Sequence, residues 1–125
     1  MDPSACSKNQ SFLTRLRFAL AGLRHALSSE HSLRIQVTIL ALVVIALIVL
    51  HPGALWWGLV LLSSAGVIGA ELFNTTLEHL ADHLHPEVHP QIRVVKDCAA
   101  AAVLVMSGGA VAVAIALAVH LLTRR

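Results

Sequence analysis

The chain has 125 residues, of which 57% are hydrophobic and only 13% charged, and its mean hydropathy is +0.77. A soluble domain of this size carries about 25% charged residues, so an ordinary water-soluble globule is excluded. The formal net charge of +2 comes without a basic run or interleaved aromatics, and no nucleic-acid partner is expected.

Residues 1–11, MDPSACSKNQS, are polar and read as a tail. Cys6 and Cys98 are the only cysteines. Their number and spacing fit neither a disulfide framework nor a zinc site, so both read as free thiols. From Phe12 a helical period sets in, and the spacing predicts a helix over 12–29. At about 100° per residue, Phe12, Leu13, Leu16, Leu20, Leu23 and Leu27 share one sector, with Arg15, Arg17, Arg24 and His25 outside it. A basic, amphipathic helix of this kind lies in a membrane interface, beside anionic headgroups.

Three apolar blocks follow, over 33–50, 54–84 and 97–122, each able to supply the roughly 20 residues that cross a bilayer. His51-Pro52-Gly53 separates the first two as a tight turn, with proline and glycine stopping one helix and freeing the next. The second block is charge-free from Ala54 to Ala70, and its helical pattern continues to Leu84. The expected architecture is an all-α membrane domain of three transmembrane helices and one surface helix. About 30 residues precede the first block and no A-x-A-like site follows it, so the segment reads as uncleaved. Lys8, Arg15, Arg17, Arg24, Arg34, Arg93 and Lys96 fall on one side of the spans, Arg124 and Arg125 on the other. The positive-inside rule then places the N-terminus and the 82–97 segment in the cytoplasm.

The chemistry concentrates at the end of the second block. With Glu71 at 0° on a helix, Asn74, Glu78 and Asp82 fall at about −60°, −20° and +20°. Two carboxylates, an amide and a third carboxylate therefore share one face. Acidic residues at the edge of an uncharged span are costly and point to function. Hard oxygen donors favour Mg²⁺ or Ca²⁺ over zinc. Glu30 before the first span and Lys96-Asp97 before the third lie at the same depth. A carboxylate cluster, a lysine and a headgroup-level position are the parts phosphoryl transfer requires. No P-loop, dinucleotide fingerprint or protein-kinase motif is present, so nucleotide would be held by a different phosphate site. His79, His83, His85 and His89 lack a third ligand in register and read as interfacial histidines. The glycines within the spans read as helix-packing positions; Gly66 and Gly69, with Ser63 and Ser64, could also leave room for a lipid tail.

G-L-R-x-A at Gly22 to Ala26, then Glu30, E-L-F-N-T-T-L-E at Glu71 to Glu78, Asp82, E-V-H-P at Glu87 to Pro90 and K-D-C-A-A-A-A-V at Lys96 to Val103 occur in one order. Together they resemble the small prokaryotic integral-membrane diacylglycerol kinases and the related undecaprenol kinases, over roughly residues 12–122. The resemblance implies a homotrimer in the bacterial inner membrane with active sites shared between subunits, using ATP and Mg²⁺ to phosphorylate a lipid alcohol. It implies Glu71 as general base and Glu30 and Glu78 as metal ligands. Glu30, Asn74, Glu78, Glu87, His89, Lys96 and Asp97 would line the nucleotide site, and Arg24, Ser63, Gly66 and Glu71 the lipid site. Three departures stand out: Val88 where many relatives have tyrosine, Phe18 at a common surface-helix aromatic, and no basic residue near Ser11. Diacylglycerol is the expected substrate, with undecaprenol as the alternative. A small oligomeric transporter with Glu71 as coupling carboxylate is the alternative of another class, and its acids would lie mid-span rather than at one face.

Overall fold

The computed structural model describes residues 11–87 and 89–123. The readings made above for the tail with Cys6 and Lys8, for Val88, and for Arg124 and Arg125 lie outside them. Four helices follow in order: α1 Phe12–Ser29, α2 His31–Leu50, α3 Ala54–Leu84 and α4 Pro90–Thr123. At 1.5 Å per residue α2 is about 30 Å long, the thickness of the hydrocarbon core, whereas α3 and α4 run to about 46 and 51 Å. α2, α3 and α4 are each long and apolar enough to cross a membrane, and the two long helices must project beyond it.

Local chemistry sets the helix ends. Ser11 caps α1, its Oγ accepting from the Thr14 N–H at 3.3 Å. A single residue, Glu30, breaks α1 from α2: its backbone is extended (φ −98°, ψ 119°), and its N–H still donates to the Ala26 carbonyl at 2.8 Å. In the His51-Pro52-Gly53 turn the left-handed residue is His51 (φ 46°, ψ 51°), not the glycine. Its N–H donates to the Leu47 carbonyl at 3.0 Å, an αL-type cap, while Gly53 stands as the N-cap of α3. α1 and α3 run unbroken over 12–29 and 54–84. α4, by contrast, starts at Pro90, seven residues before the expected position. Proline suits a first helical position because the donor it lacks would be unsatisfied there anyway. His89 completes the start, its Nδ1 accepting from the Gln91 N–H at 3.2 Å and its carbonyl from the Arg93 N–H at 3.1 Å. Arg93, Lys96 and Asp97 are therefore helical residues, and the connection between α3 and α4 is short.

α3 is the hub. It packs along α4 most extensively and against α2 less, α1 rests on α2 and α3, and α2 and α4 do not pack on each other. α2 and α3 run antiparallel, so the start of α2, the later part of α3 and the start of α4 meet at one end of the bundle. Among the described residues few are buried: Ala26, Leu33, Leu47, Pro52, Val60, Ala81 and Ala99, with Glu71 and Thr75 as the polar members. Large apolar side chains lie exposed around every span, among them Leu42, Leu62, Phe73, Leu104 and Ile115. In water that surface would drive association; in a bilayer it meets lipid or other apolar helices. On α1 the exposed side chains include Phe12, Leu13, Leu16, Phe18 and Leu20, and the contact to the bundle comes from the last turns around Ala26. An interfacial helix has this arrangement: a tethered end and an apolar face left for the membrane.

Candidate active site

Glu71 sits on α3 with only 6% of its surface exposed, and both of its carboxylate oxygens are engaged from α2. The Ser32 hydroxyl donates to Oε1, and the Gln36 amide donates from Nε2 to Oε2 at 3.1 Å. Ser32 and Gln36 are spaced i, i+4 and share one face of α2, the spacing needed to grip a single side chain. A buried charge is tolerated only where hydrogen bonds or counter-charges meet it. Here two neutral donors do so, and no salt bridge to Glu71 occurs among the described residues.

The remaining stripe residues part company. One turn on, the Asn74 side-chain N–H donates to Glu78 Oε1 at 3.0 Å, while Asn74 Oδ1 is buried with no partner. Asp82, at the far end, turns to α4 and pairs with the Lys96 ammonium at 2.5 Å. The face drawn from the sequence is real, but it contacts α2 at one end and α4 at the other. Glu30 lies against α3 from the α1–α2 break, its Oε1 3.4 Å from His79 Nε2. The His25 ring meets His79 edge-on, centroids 6.5 Å apart. Glu30, Glu71, Asn74, Glu78 and Lys96 thus gather at one end of the bundle.

The other expected residues are less convergent. Asp97 is exposed and pairs with Arg93 within α4 at 3.9 Å. Glu87 and Arg24 are exposed, and His89 serves as the cap of α4. Ser63 Oγ donates to the Val60 carbonyl of its own helix at 3.0 Å, and Ser63 lines an apolar groove of about 300 Å³. Gly66 is a packing glycine: a Cβ there would overlap Met106 Cε of α4, so it does not open space for a lipid tail. At Gly58, Gly69, Gly108 and Gly109 a Cβ would meet nothing within 4 Å among the described residues of this chain. Cys98 is a free, exposed thiol.

No local pattern in the sequence marks Ser32 or Gln36 as a partner of Glu71. An uncharged amide inside an apolar block was the one available signal, since its partner lies 35 positions away. The pairing of His79 with Glu30 was also not foreseen.

Among the described residues no three or more His, Cys, Asp or Glu converge into a ready-made metal cage. Mg²⁺ does not need one, because it commonly takes one or two carboxylates and completes its shell with water and substrate phosphates. The Glu78 carboxylate beside the buried, unpaired Asn74 Oδ1 is a hard-oxygen donor set of that kind.

The sequence profile of the prokaryotic diacylglycerol kinase family matches residues 17–118. The chain belongs to the prokaryotic diacylglycerol kinase family. It is also similar to a diacylglycerol kinase of Synechocystis sp., 34% identical over 104 residues. That alignment covers 82% of this chain and 59% of the relative, so the chain spans about three-fifths of that protein's length. Family membership and the three apolar helices together make this a multi-pass membrane protein.

Proposed function

We propose that this chain is an ATP- and Mg²⁺-dependent lipid kinase of the inner membrane that phosphorylates the hydroxyl of a lipid alcohol, with diacylglycerol as substrate and phosphatidic acid as product. The observation that carries the reading is the buried, hydrogen-bonded Glu71 at the end of the bundle where Glu30, Asn74, Glu78 and Lys96 also gather. In a member of this family, that is where a headgroup-level alcohol and a nucleotide phosphate must meet.

Glu71 accepts the proton of the lipid hydroxyl as that oxygen attacks the γ-phosphorus, and ADP leaves with the electrons of the broken P–O bond. Glu78 and Glu30, with the Asn74 carbonyl nearby, are the residues that would hold Mg²⁺, which supplies neutralisation of the phosphate charge. Lys96 adds a cation toward the phosphates and exchanges Asp82 for them as nucleotide binds. Asp97, Glu87 and His89 stand at the nucleotide side, and Arg24 on α1 at the headgroup side. Shared sites in a homotrimer account for two features at once: exposed apolar helix faces, and a metal site only partly built within one chain. The topology that agrees is cytoplasmic for this end of the bundle, by the distribution of Lys and Arg.

The test is a labelled-ATP assay in bilayers against diacylglycerol, undecaprenol and ceramide. Label transfer to diacylglycerol is expected. Transfer to undecaprenol instead would replace the substrate, and absence of transfer to any of the three would overturn the kinase reading.

A further inference from the structure

We propose that Ser32 and Gln36 are positioning residues, a neutral two-pronged clamp that sets the direction from which Glu71 meets the reacting hydroxyl. The inference rests on Glu71 acting as the base, and it extends that reading to two α2 residues whose side chains lie across the helix interface.

Three observations converge on it. First, the two donors take different oxygens: Ser32 holds Oε1 and Gln36 holds Oε2. A carboxylate held at one oxygen can still swing about its Cγ–Cδ bond; held at both, its plane and its remaining lone pairs are fixed. Second, neither donor is charged. Neutral donors orient the carboxylate without setting a second buried ion against it. Third, Gln36 carries an orphan. Its Oε1 is buried and has no partner, and turning the amide round would set that oxygen against the Glu71 carboxylate instead. The amide orientation is thus dictated by Glu71, and an unsatisfied buried acceptor is tolerated to keep it so. Gln36 also lines an apolar groove of about 200 Å³ with Ile39, Leu40, Val67 and Ile68. On that side water competes weakly, and the hydrogen bond to Glu71 is correspondingly strong.

Orientation matters at this site because proton removal and in-line attack must coincide, and misplacement by about 1 Å can cost a hundredfold in rate. Ser32 is itself exposed in the first turn of α2, so a threonine is accommodated and keeps the hydroxyl.

The experiment compares wild type, Gln36→Met, Ser32→Ala and Ser32→Thr in bilayers, with labelled ATP and the lipid that wild type accepts. Gln36→Met and Ser32→Ala should lower kcat by about tenfold to a hundredfold with the KM for ATP unchanged. Ser32→Thr should recover most of what Ser32→Ala loses. Full kcat in Gln36→Met, or a Ser32→Thr enzyme as slow as Ser32→Ala, would overturn the clamp. A second readout does not depend on turnover. The Glu71 carboxylate stretch, identified in the infrared by its loss in Glu71→Gln, should shift in Gln36→Met and in Ser32→Ala. An inactive wild type whose Glu71 band still shifts would sink the kinase reading and the rate role while upholding the contact. An unmoved band would sink the clamp alone.

Discussion

Glu71 and Asp82 lie on the same face of the same helix, both acidic, and the structure treats them in opposite ways. Glu71 is buried and held by two uncharged donors from α2. Asp82 is exposed and paired with a cation from α4, its side chain 62% accessible. The difference follows from depth. Near the membrane boundary a full counter-charge must itself be desolvated, and neutral donors satisfy a carboxylate without adding a second buried ion. Three turns farther out water screens the pair, and a lysine costs little. Identical residue chemistry on one helical stripe therefore divides into a reactive part and a supporting part. Between them, Glu78 is engaged by an amide of its own helix, Asn74. That arrangement leaves a carboxylate oxygen available.

Glu71→Gln is the strongest way to break the comparison. The amide keeps the size of the side chain but cannot take the proton, and general-base catalysis is worth about a hundredfold to ten-thousandfold. Turnover should fall by that factor while assembly and the KM for ATP hold. Substantial residual lipid phosphorylation would remove Glu71 from the role of base. Glu78→Ala should come next. It deletes a candidate metal ligand and leaves Asn74 without its acceptor, so the Mg²⁺ concentration for half-maximal activity should rise at least about tenfold. An unchanged Mg²⁺ titration would move the metal away from Glu78.

How much of this division could be read beforehand depends on the range of the interaction. The shared face of Glu71, Asn74, Glu78 and Asp82 needs only the helical period, and the bounds Ala54–Leu84 need only an unbroken pattern after His51-Pro52-Gly53. The start of α4 is as local, yet it was placed seven residues late. Hydropathy sees where the apolar block begins, not that Pro90 with the His89 imidazole can begin a helix in polar surroundings. Composition marks the turn at His51-Pro52-Gly53 but not which residue takes the left-handed conformation, and the αL cap on the Leu47 carbonyl falls on His51. The partners of Glu71 lie beyond any local pattern. Ser32 and Gln36 are 39 and 35 positions away, and only the axial register of α2 against α3 decides which polar residue meets the carboxylate. Gly66 shows the same limit, since its neighbour Met106 belongs to another helix.

The smallest effect belongs to Asp82→Asn, and it sharpens the comparison most. The ion pair with Lys96 is partly exposed on both sides, at 62% and 33% of side-chain surface. Pairs of that kind contribute about 0–1 kcal/mol, so thermal stability in a bilayer mimic should move by no more than that. The replacement releases Lys96, which in the proposed reaction leaves Asp82 to meet phosphate. The KM for ATP should therefore stay level or fall slightly, the opposite of the rise expected for Lys96→Met, which removes the cation altogether. High salt should erase the stability difference, because screening acts on exposed charges first. If Asp82→Asn instead lost activity on the scale of Glu71→Gln, depth along α3 would not be what separates the two carboxylates. The reactive part of the stripe would then have to extend out to α4.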